Sequence, residues 1–434
     1  MVNPAFPRRA LGANDKLNIA AVGVGGMGQN YVEGCKSENI VAIADVDDAF
    51  AAPVRKKYPE AKAYRDFRVM LEKEKGIDAV IIGTPDHSHA VVAAAAIALK
   101  KHVYCAKPMT RTVHEARTIT RAARDAGVAT QMSVQSCSTD PAVTTEEWVK
   151  AGVVGPVREV HVWTDRPVWP QALARPSRRF KPPRTLDWDI WLGPAAVRPF
   201  HPVYHPFNFR GWYDFGTGAL GDMACHTFHI IVKALELGAP ASVNASATVT
   251  RVPLGKGEKP EPVWAFSRKG VYPETFPHSS VVTWDFPARG SLPAARMHWY
   301  DGGLRPPRPA GMDPDKDLGV EGVLFVGEKG TLWSGFSGGP KFLSAAQQKA
   351  ITPPPKTLPR TAGHYLEWIE AAKGGKPATC NFSFGSRLTE IALLGVIAQR
   401  TGKYLEWDAD QGRFTNNPDA NELLNPPYRA GWKL

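Results

Sequence analysis

The chain has 434 residues, of which 43% are hydrophobic and 22% charged, and it carries a formal net charge of +11. That composition is ordinary for a globular protein, and the length suits two or three domains. No apolar run reaches the roughly 18 residues a membrane helix needs, and the Lys and Arg are scattered without a basic helix or zinc-finger spacing, so neither a membrane span nor a nucleic-acid module is expected.

Residues 1–16 form a polar, Pro-containing lead-in. The small-residue run Ala10–Asp15 looks like the remnant of a processed junction. It raises the expectation of an exported, periplasmic protein whose signal has been removed; a chain complete from Met1 would instead be cytoplasmic. Residues 17–156 alternate strand and helix. Leu17–Gly23 reads as a strand, followed by Gly23-Val-Gly25-Gly26-Met27-Gly28, a helix to about Cys35, and a second strand, Ile40–Asp45. Strand, G-x-G-x-x-G, helix, strand and acid therefore occur in order within about 30 residues, as a dinucleotide site requires. Gly23 permits the tight turn, Gly25 and Gly26 let the backbone approach a pyrophosphate, and Gly28 lets the helix pack close to the strand. The helix N-terminus offers its N–H groups to phosphate, and Asp45 is placed to accept the hydroxyls of an adenosine ribose. Further strands are expected at Ala79–Gly83, His102–Cys105 and Val128–Val134, with helices at His89–Leu99, Val113–Ala126 and Thr144–Ala151. This rhythm predicts a doubly wound parallel sheet.

From Val157 the character changes. Arg158–Trp163 alternates like a strand with one wet face, and a Pro-, Arg- and Trp-rich stretch runs from Pro167 to Tyr213, a length usually kept for function. A helix is expected over Leu220–Leu237. Strands are expected at Ala241–Val252, Ser279–Phe286, Ala294–Tyr300, Gly322–Val326 and Gly330–Ser334, the last two joined by the turn Gly327–Gly330. Helices follow at Thr361–Ala372 and Ser386–Arg400. Residues 157–407 thus read as an α+β domain with a large mixed or antiparallel sheet for substrate binding and oligomerisation, and 408–434 as a tail, mostly coil. The five cysteines form no C-x-x-C pair and are odd in number, so buried free thiols are expected rather than a disulfide framework.

Three clusters beyond the glycine loop bear chemistry. Thr84, Pro85 and His89 follow a parallel strand at the carboxyl edge, where open α/β sheets bind ligands, and would line the nicotinamide-ribose region; Ser88 also reads as an ordinary helix N-cap. Lys107, before Pro108, ends another strand at that edge and can steady a developing alkoxide. In Gly216–His229, the residues Asp222, His226 and His229 fall at i, i+4 and i+7, on one helical face. Asp222 there is expected to orient His226, whose imidazole suits proton transfer near neutral pH. A metal held by these side chains is set aside, because the glycine loop already supplies redox chemistry.

Together these residues resemble the Gfo/Idh/MocA (glucose-fructose oxidoreductase / inositol dehydrogenase) family, over essentially Leu17–Trp407. The resemblance implies an N-terminal Rossmann domain, NAD(H) as cofactor, a homodimer or homotetramer, and Lys107, Asp222 and His226 as the catalytic group. Two positions depart from the family pattern: Ala106 stands where a Glu is usual, and His229 where an acid is frequent. The expected activity is oxidation of a secondary hydroxyl of a sugar, polyol or glycoside. Gln135, Arg210, Trp212, Tyr213, Asp214 and His229 are candidate substrate contacts, while Trp188 and Trp191 read as packing. Segments 188–194 and 207–214 look like an exported branch of the family. Some relatives of that branch are NAD-dependent glycosidases that oxidise, eliminate, add water and reduce again, which keeps a redox-neutral hydrolase as one alternative. A non-catalytic nucleotide- or sugar-binding protein is another.

Overall fold

The computed structural model describes residues 15–257, 259, 267–270, 272–336 and 338–434; residues 1–14, on which the expectation of export mostly rests, lie outside them. The N-terminal sheet has six strands, β1 (Asn18–Val22), β2 (Asn39–Ala44), β3 (Lys62–Tyr64), β4 (Ala79–Ile82), β5 (His102–Cys105) and β6 (Thr130–Met132), in the order β3-β2-β1-β4-β5-β6. Every pairing is parallel. The Ala-Val-Ile-Ile run of β4 is buried on both faces, as a strand covered by helices on each side requires. The helices are α1 (Gly28–Gly34), α2 (Asp48–Lys57), α3 (Phe67–Lys73), α4 (Asp86–Ala98), α5 (Val113–Ala126) and α6 (Asp140–Lys150). A capping box between Thr112 and Glu115 starts α5, and Gly127 ends it in the left-handed region. Helix α4 begins with Pro85 as N-cap, ahead of Ser88, because Pro85 fixes an extended backbone directly at the strand end.

The second unit is a nine-stranded sheet. Its strands are β7 (Val157–Trp163), β8 (Ser242–Ala247), β11 (Ser280–Phe286), β12 (Ala295–Tyr300), β13 (Gly322–Gly327), β14 (Gly330–Ser334), β15 (Pro340–Phe342), β16 (Leu405–Asp408) and β17 (Arg413–Phe414); a separate ribbon pairs β9 (Arg251–Pro253) with β10 (Ser267–Lys269). The order is β15-β14-β13-β7-β12-β11-β8-β16-β17, antiparallel except for β7–β12. The alternation of β11 puts Val282, Trp284 and Phe286 on the covered face. Helix α8 (Gly218–Ala234) and helix α11 (Phe382–Thr401) pack there. Gly395 of α11 permits that approach, since a Cβ would lie 2.5 Å from the Trp284 ring.

Two segments depart from the expected coil. The stretch 167–213 carries α7 (Trp188–Leu192) and a 3-10 turn at Asn208–Gly211, and its apolar side chains make their own core around Trp191, Tyr204, Trp212 and Phe215. The tail beyond Trp407 adds β17 to the sheet edge and helix α12 (Pro418–Glu422); its aromatic residues Trp407 and Phe414 are buried together, 5.0 Å apart, which gives an otherwise polar segment an anchor. Between β15 and α11 lie α9 (Ala345–Ala350) and α10 (His364–Ala372). Although α10 follows most strands of the large sheet in sequence, its Trp368, Ile369 and Ala372 share one core with Leu17, Ile19 and Tyr104 of the N-terminal sheet. No helix of the described residues is long and apolar enough to cross a membrane.

Candidate active site

A cavity of about 670 Å³ runs along the carboxyl edge of the parallel sheet. At one end lie Gly23, Gly25, Gly26, Met27 and Asp45; at the other, Lys107, Gln135, Arg210, Asp222 and His226; Thr84, Pro85 and His89 lie between.

Backbone approach explains the glycines. Gly23 turns with φ +75°, and a Cβ on it would sit 2.7 Å from the Thr84 nitrogen. A Cβ on Gly28 would collide with the Gly23 carbonyl oxygen, and one on Gly83 would lie 2.6 Å from that same atom. Gly28 thus acts beneath the loop, outside the cavity wall, and lets α1 pack on β1 and β4. Asp45 is 7% exposed; its Oδ2 accepts from Val24 N at 2.8 Å and Gly25 N at 3.4 Å, and its Oδ1 from Asp47 N at 3.0 Å. Burial raises its pKa against these opposing hydrogen bonds. This cradle fits a dinucleotide: narrow glycine backbone for the diphosphate, a helix start behind it, and a carboxylate for the ribose.

Discrimination against a 2′-phosphate follows from the same residues. The cations Arg55 and Arg65 are both engaged by Asp48, Arg55 Nη1 at 2.7 Å and Arg65 Nε at 2.9 Å from its carboxylate. NADH is therefore expected to bind at least about tenfold more tightly than NADPH by calorimetry, because Asp45 repels the extra phosphate and both neighbouring arginines are engaged by Asp48. Equal or tighter NADPH binding would overturn this.

At the far end, Lys107 reaches from the turn after β5 to the first turns of α8. Its Nζ donates to Asp222 O at 2.6 Å and to Asp222 Oδ1 at 2.8 Å. Arg210 Nε donates to the same Oδ1 at 3.0 Å. Burial would push the Asp222 carboxyl up, but the two cations together hold it well below the usual carboxylate range. The expectation was that Asp222 orients His226; in the structure its Oδ1 is engaged instead by Lys107 and Arg210, which offer it charge-assisted bonds. His226 packs edge-on against Phe336, ring centroids 4.7 Å apart, with its imidazole at the cavity. Burial, with Lys107 nearby, lowers its pKa well below the ordinary histidine value.

His89 ties the site together: Nδ1 lies 2.9 Å from Pro108 O and Nε2 2.8 Å from Thr84 O, which joins the two turns that bound the cavity. Gln135 lines the cavity and donates to Tyr365 Oη at 3.3 Å.

Four candidate substrate contacts lie elsewhere. His229 is 1% exposed and its Nε2 meets Ser136 Oγ at 2.9 Å. Three residues beyond His226 means a turn of about 300° and a rise of about 4.5 Å, enough to carry it from the cavity to the Ser136 turn. Trp212 is fully buried in the aromatic core of the 167–213 stretch. Tyr213 packs tilted against Phe276, ring centroids 4.1 Å apart, with the Arg400 guanidinium 4.8 Å from its ring. Asp214 pairs with the buried Arg198. In each case packing, a hydrogen bond or an ion pair claimed the side chain. With His229 turned away, Asp222, His226 and His229 do not converge as metal ligands. Among the described residues, ligand atoms do converge at Glu159, His161 and His298 on the open sheet face. There both Nε2 atoms lie near Glu159 Oε1, at 3.3 and 3.1 Å, and the Nδ1 atoms meet the Tyr300 and Thr283 hydroxyls.

Sequence reasoning missed the cover of the nucleotide end: Phe50 over Gly25, His205, and Trp432 of the tail. Their aromatic character was visible, but their proximity depends on contacts made across long stretches of chain.

Two family descriptions match this chain. Residues 17–134 match the oxidoreductase family's NAD-binding Rossmann fold, and residues 169–249 and 318–434 match its C-terminal alpha/beta domain. The chain belongs to the Gfo/Idh/MocA oxidoreductase family. Its cofactor is NAD(H), which the Rossmann match and the glycine cradle support together. A levoglucosan dehydrogenase from Pseudarthrobacter phenanthrenivorans is 24% identical over 217 residues, 50% of this chain and 47% of that one. Inositol 2-dehydrogenase 1 from Saccharopolyspora erythraea is 30% identical over 100 residues, 22% of this chain and 30% of that one. The matches thus span about half, or less, of these relatives. Among solved structures, levoglucosan dehydrogenase with NADH and levoglucosan aligns with a TM-score of 0.58 at 18% identity, covering 90% of this chain and 99% of that one. The WlbA dehydrogenase from Bordetella pertussis with NADH and UDP-GlcNAcA aligns at 0.59 and 16%, covering 91% and 99%. At such identities the likeness is one of fold.

Proposed function

We propose that this family member oxidises a secondary hydroxyl of a sugar, polyol or glycoside with NAD. The observation that carries the reading is the placement of Lys107, Asp222 and His226 at the end of the cavity that begins at the glycine loop. NAD supplies the hydride acceptor. Lys107 has three N–H donors, and two are fixed on Asp222; the third is aimed at the substrate oxygen and stabilises it as negative charge develops. Asp222, kept ionised by Lys107 and Arg210, holds that ammonium in place. His226, neutral because of its burial, accepts the hydroxyl proton. Gln135 and Arg210, which line the same cavity, bind neighbouring hydroxyls. The names of the levoglucosan and inositol dehydrogenases support a carbohydrate substrate.

The test is a panel of sugars, polyols and glycosides, with cofactor absorbance and product identity read together. Net NADH with a keto product supports the reading. Glycoside cleavage without net NADH would replace it by a redox-neutral cycle.

The pH profile follows from His226. Proton acceptance requires the neutral ring, and a lowered pKa keeps the ring neutral to lower pH. In the oxidation direction, kcat/KM is expected to hold constant down to pH 6.5 and to fall only below it. An acid limb centred at or above pH 6.5 would refute the assigned base.

A further inference from the structure

The adenosine end of the cavity is roofed by chain that comes late in the sequence. With the ribose on Asp45, an adenine would extend beyond it toward Val46, Arg65 and Phe67, which line the same cavity. Segment 185–194 is zipped onto this edge: Asp48 N donates to Thr185 O at 3.0 Å, Asp187 N to Val46 O at 2.8 Å, and Asp47 bridges Leu186. The tail is in turn fastened to that segment. Arg429 N donates to Pro194 O at 3.0 Å, its Nε to Gly193 O at 2.5 Å, and its Nη1 and Nη2 to Asp189 Oδ1 and O, both at 2.6 Å. Three residues on, Trp432 enters the cavity wall, 6.3 Å from the Phe67 ring, with the Arg68 guanidinium 4.6 Å from its own ring.

We propose that residues 429–432 are a clasp that retains the dinucleotide, with Trp432 as the wall of the adenine pocket and Arg429 as its fastener. The proposal rests on NAD occupying this cavity. A groove open on one side lets a nucleotide leave in one step; here the tail must first part from α7. The fastener suits a gate that can open. The Asp189 side chain is largely exposed, so its ion pair is weak, and the hydrogen bonds to Gly193, Pro194 and the Asp189 carbonyl carry the rest.

The experiment measures NADH dissociation by stopped-flow fluorescence, displaced by excess NAD, for the whole chain and for Trp432→Ala and Arg429→Ala. Trp432→Phe is included, and melting of each protein without added cofactor reports the fold. Dissociation about tenfold faster or more in both Ala variants, with intermediate behaviour in Trp432→Phe and unchanged melting, supports the clasp. NADH leaving folded Ala variants at the parent rate overturns it. Should either variant fail to fold, removal of residues 432–434 gives the same reading. A parent chain that binds no NADH by calorimetry overturns the cofactor assignment itself, a result distinct from unchanged release.

Discussion

Replacing Lys107 by Ala is expected to slow turnover on the true substrate by roughly a hundredfold to a thousandfold, as befits loss of the group that meets the developing negative charge. NADH affinity, measured by calorimetry, is expected to change little, because the glycine loop and Asp45 lie at the other end of the cavity. The substitution also removes one of two cations from Asp222. Arg210 remains on the same oxygen at 3.0 Å, so the buried carboxylate keeps a partner and the fold survives. His226→Ala is expected to cost a comparable factor and to remove the acid limb described above. Near-normal turnover in either variant would end its assigned role.

Gly28→Ala is expected to be severely damaging. The new Cβ meets the Gly23 carbonyl, and both backbones are fixed by β1 and α1, so neither can give way as a flexible side chain would. A loss of about 3 kcal/mol, with NADH binding largely abolished, is expected from such backbone overlap. Gly76→Ala serves as the control, since nothing lies within 4 Å of its added Cβ. Equal melting temperatures and NADH affinities for the two variants would contradict the interlocked loop.

What could be read from the sequence was what local chemistry dictates. The glycine loop, Asp45 and the βα rhythm need only neighbours within about 30 residues, and the strand ends at Thr84 and Lys107 inherit their position from the sheet. The helix Gly218–Ala234 was legible as a helix, and Asp222 and His226 as one face of it. That periodicity says which residues share a face but not how far the cavity extends along it, and so His229 was misplaced. Trp212, Tyr213 and Asp214 failed for a related reason. An aromatic or charged side chain in a long irregular stretch serves a core as readily as a sugar, and the partners that decide the matter, Tyr204, Phe276 and Arg198, are not marked by spacing. The weakly patterned region 46–78, which supplies α2, β3 and α3, took its form from the sheet it completes. The tail was illegible because its anchors, Trp407 and Phe414, declare themselves only once the sheet edge exists.

The position of α10 bears on how the chain acquires its structure. One face of the first sheet is sealed by residues 364–372, more than two hundred residues after the last strand of that sheet. During synthesis residues 15–156 leave the ribosome with Leu17, Ile19 and Tyr104 packed with Tyr31 and Val32 of α1 and Val54 of α2 but not yet with α10, and they wait in that state while β7–β15 are made. At about 5–20 residues per second the wait lasts on the order of ten seconds or more. An excised fragment of residues 15–156 is accordingly expected to be sticky and to bind hydrophobic dyes, whereas adding the 364–372 peptide as a covalent extension should quiet it. The later chain thus supplies a helix to the core of the first unit, and cleavage between the two is expected to weaken that core.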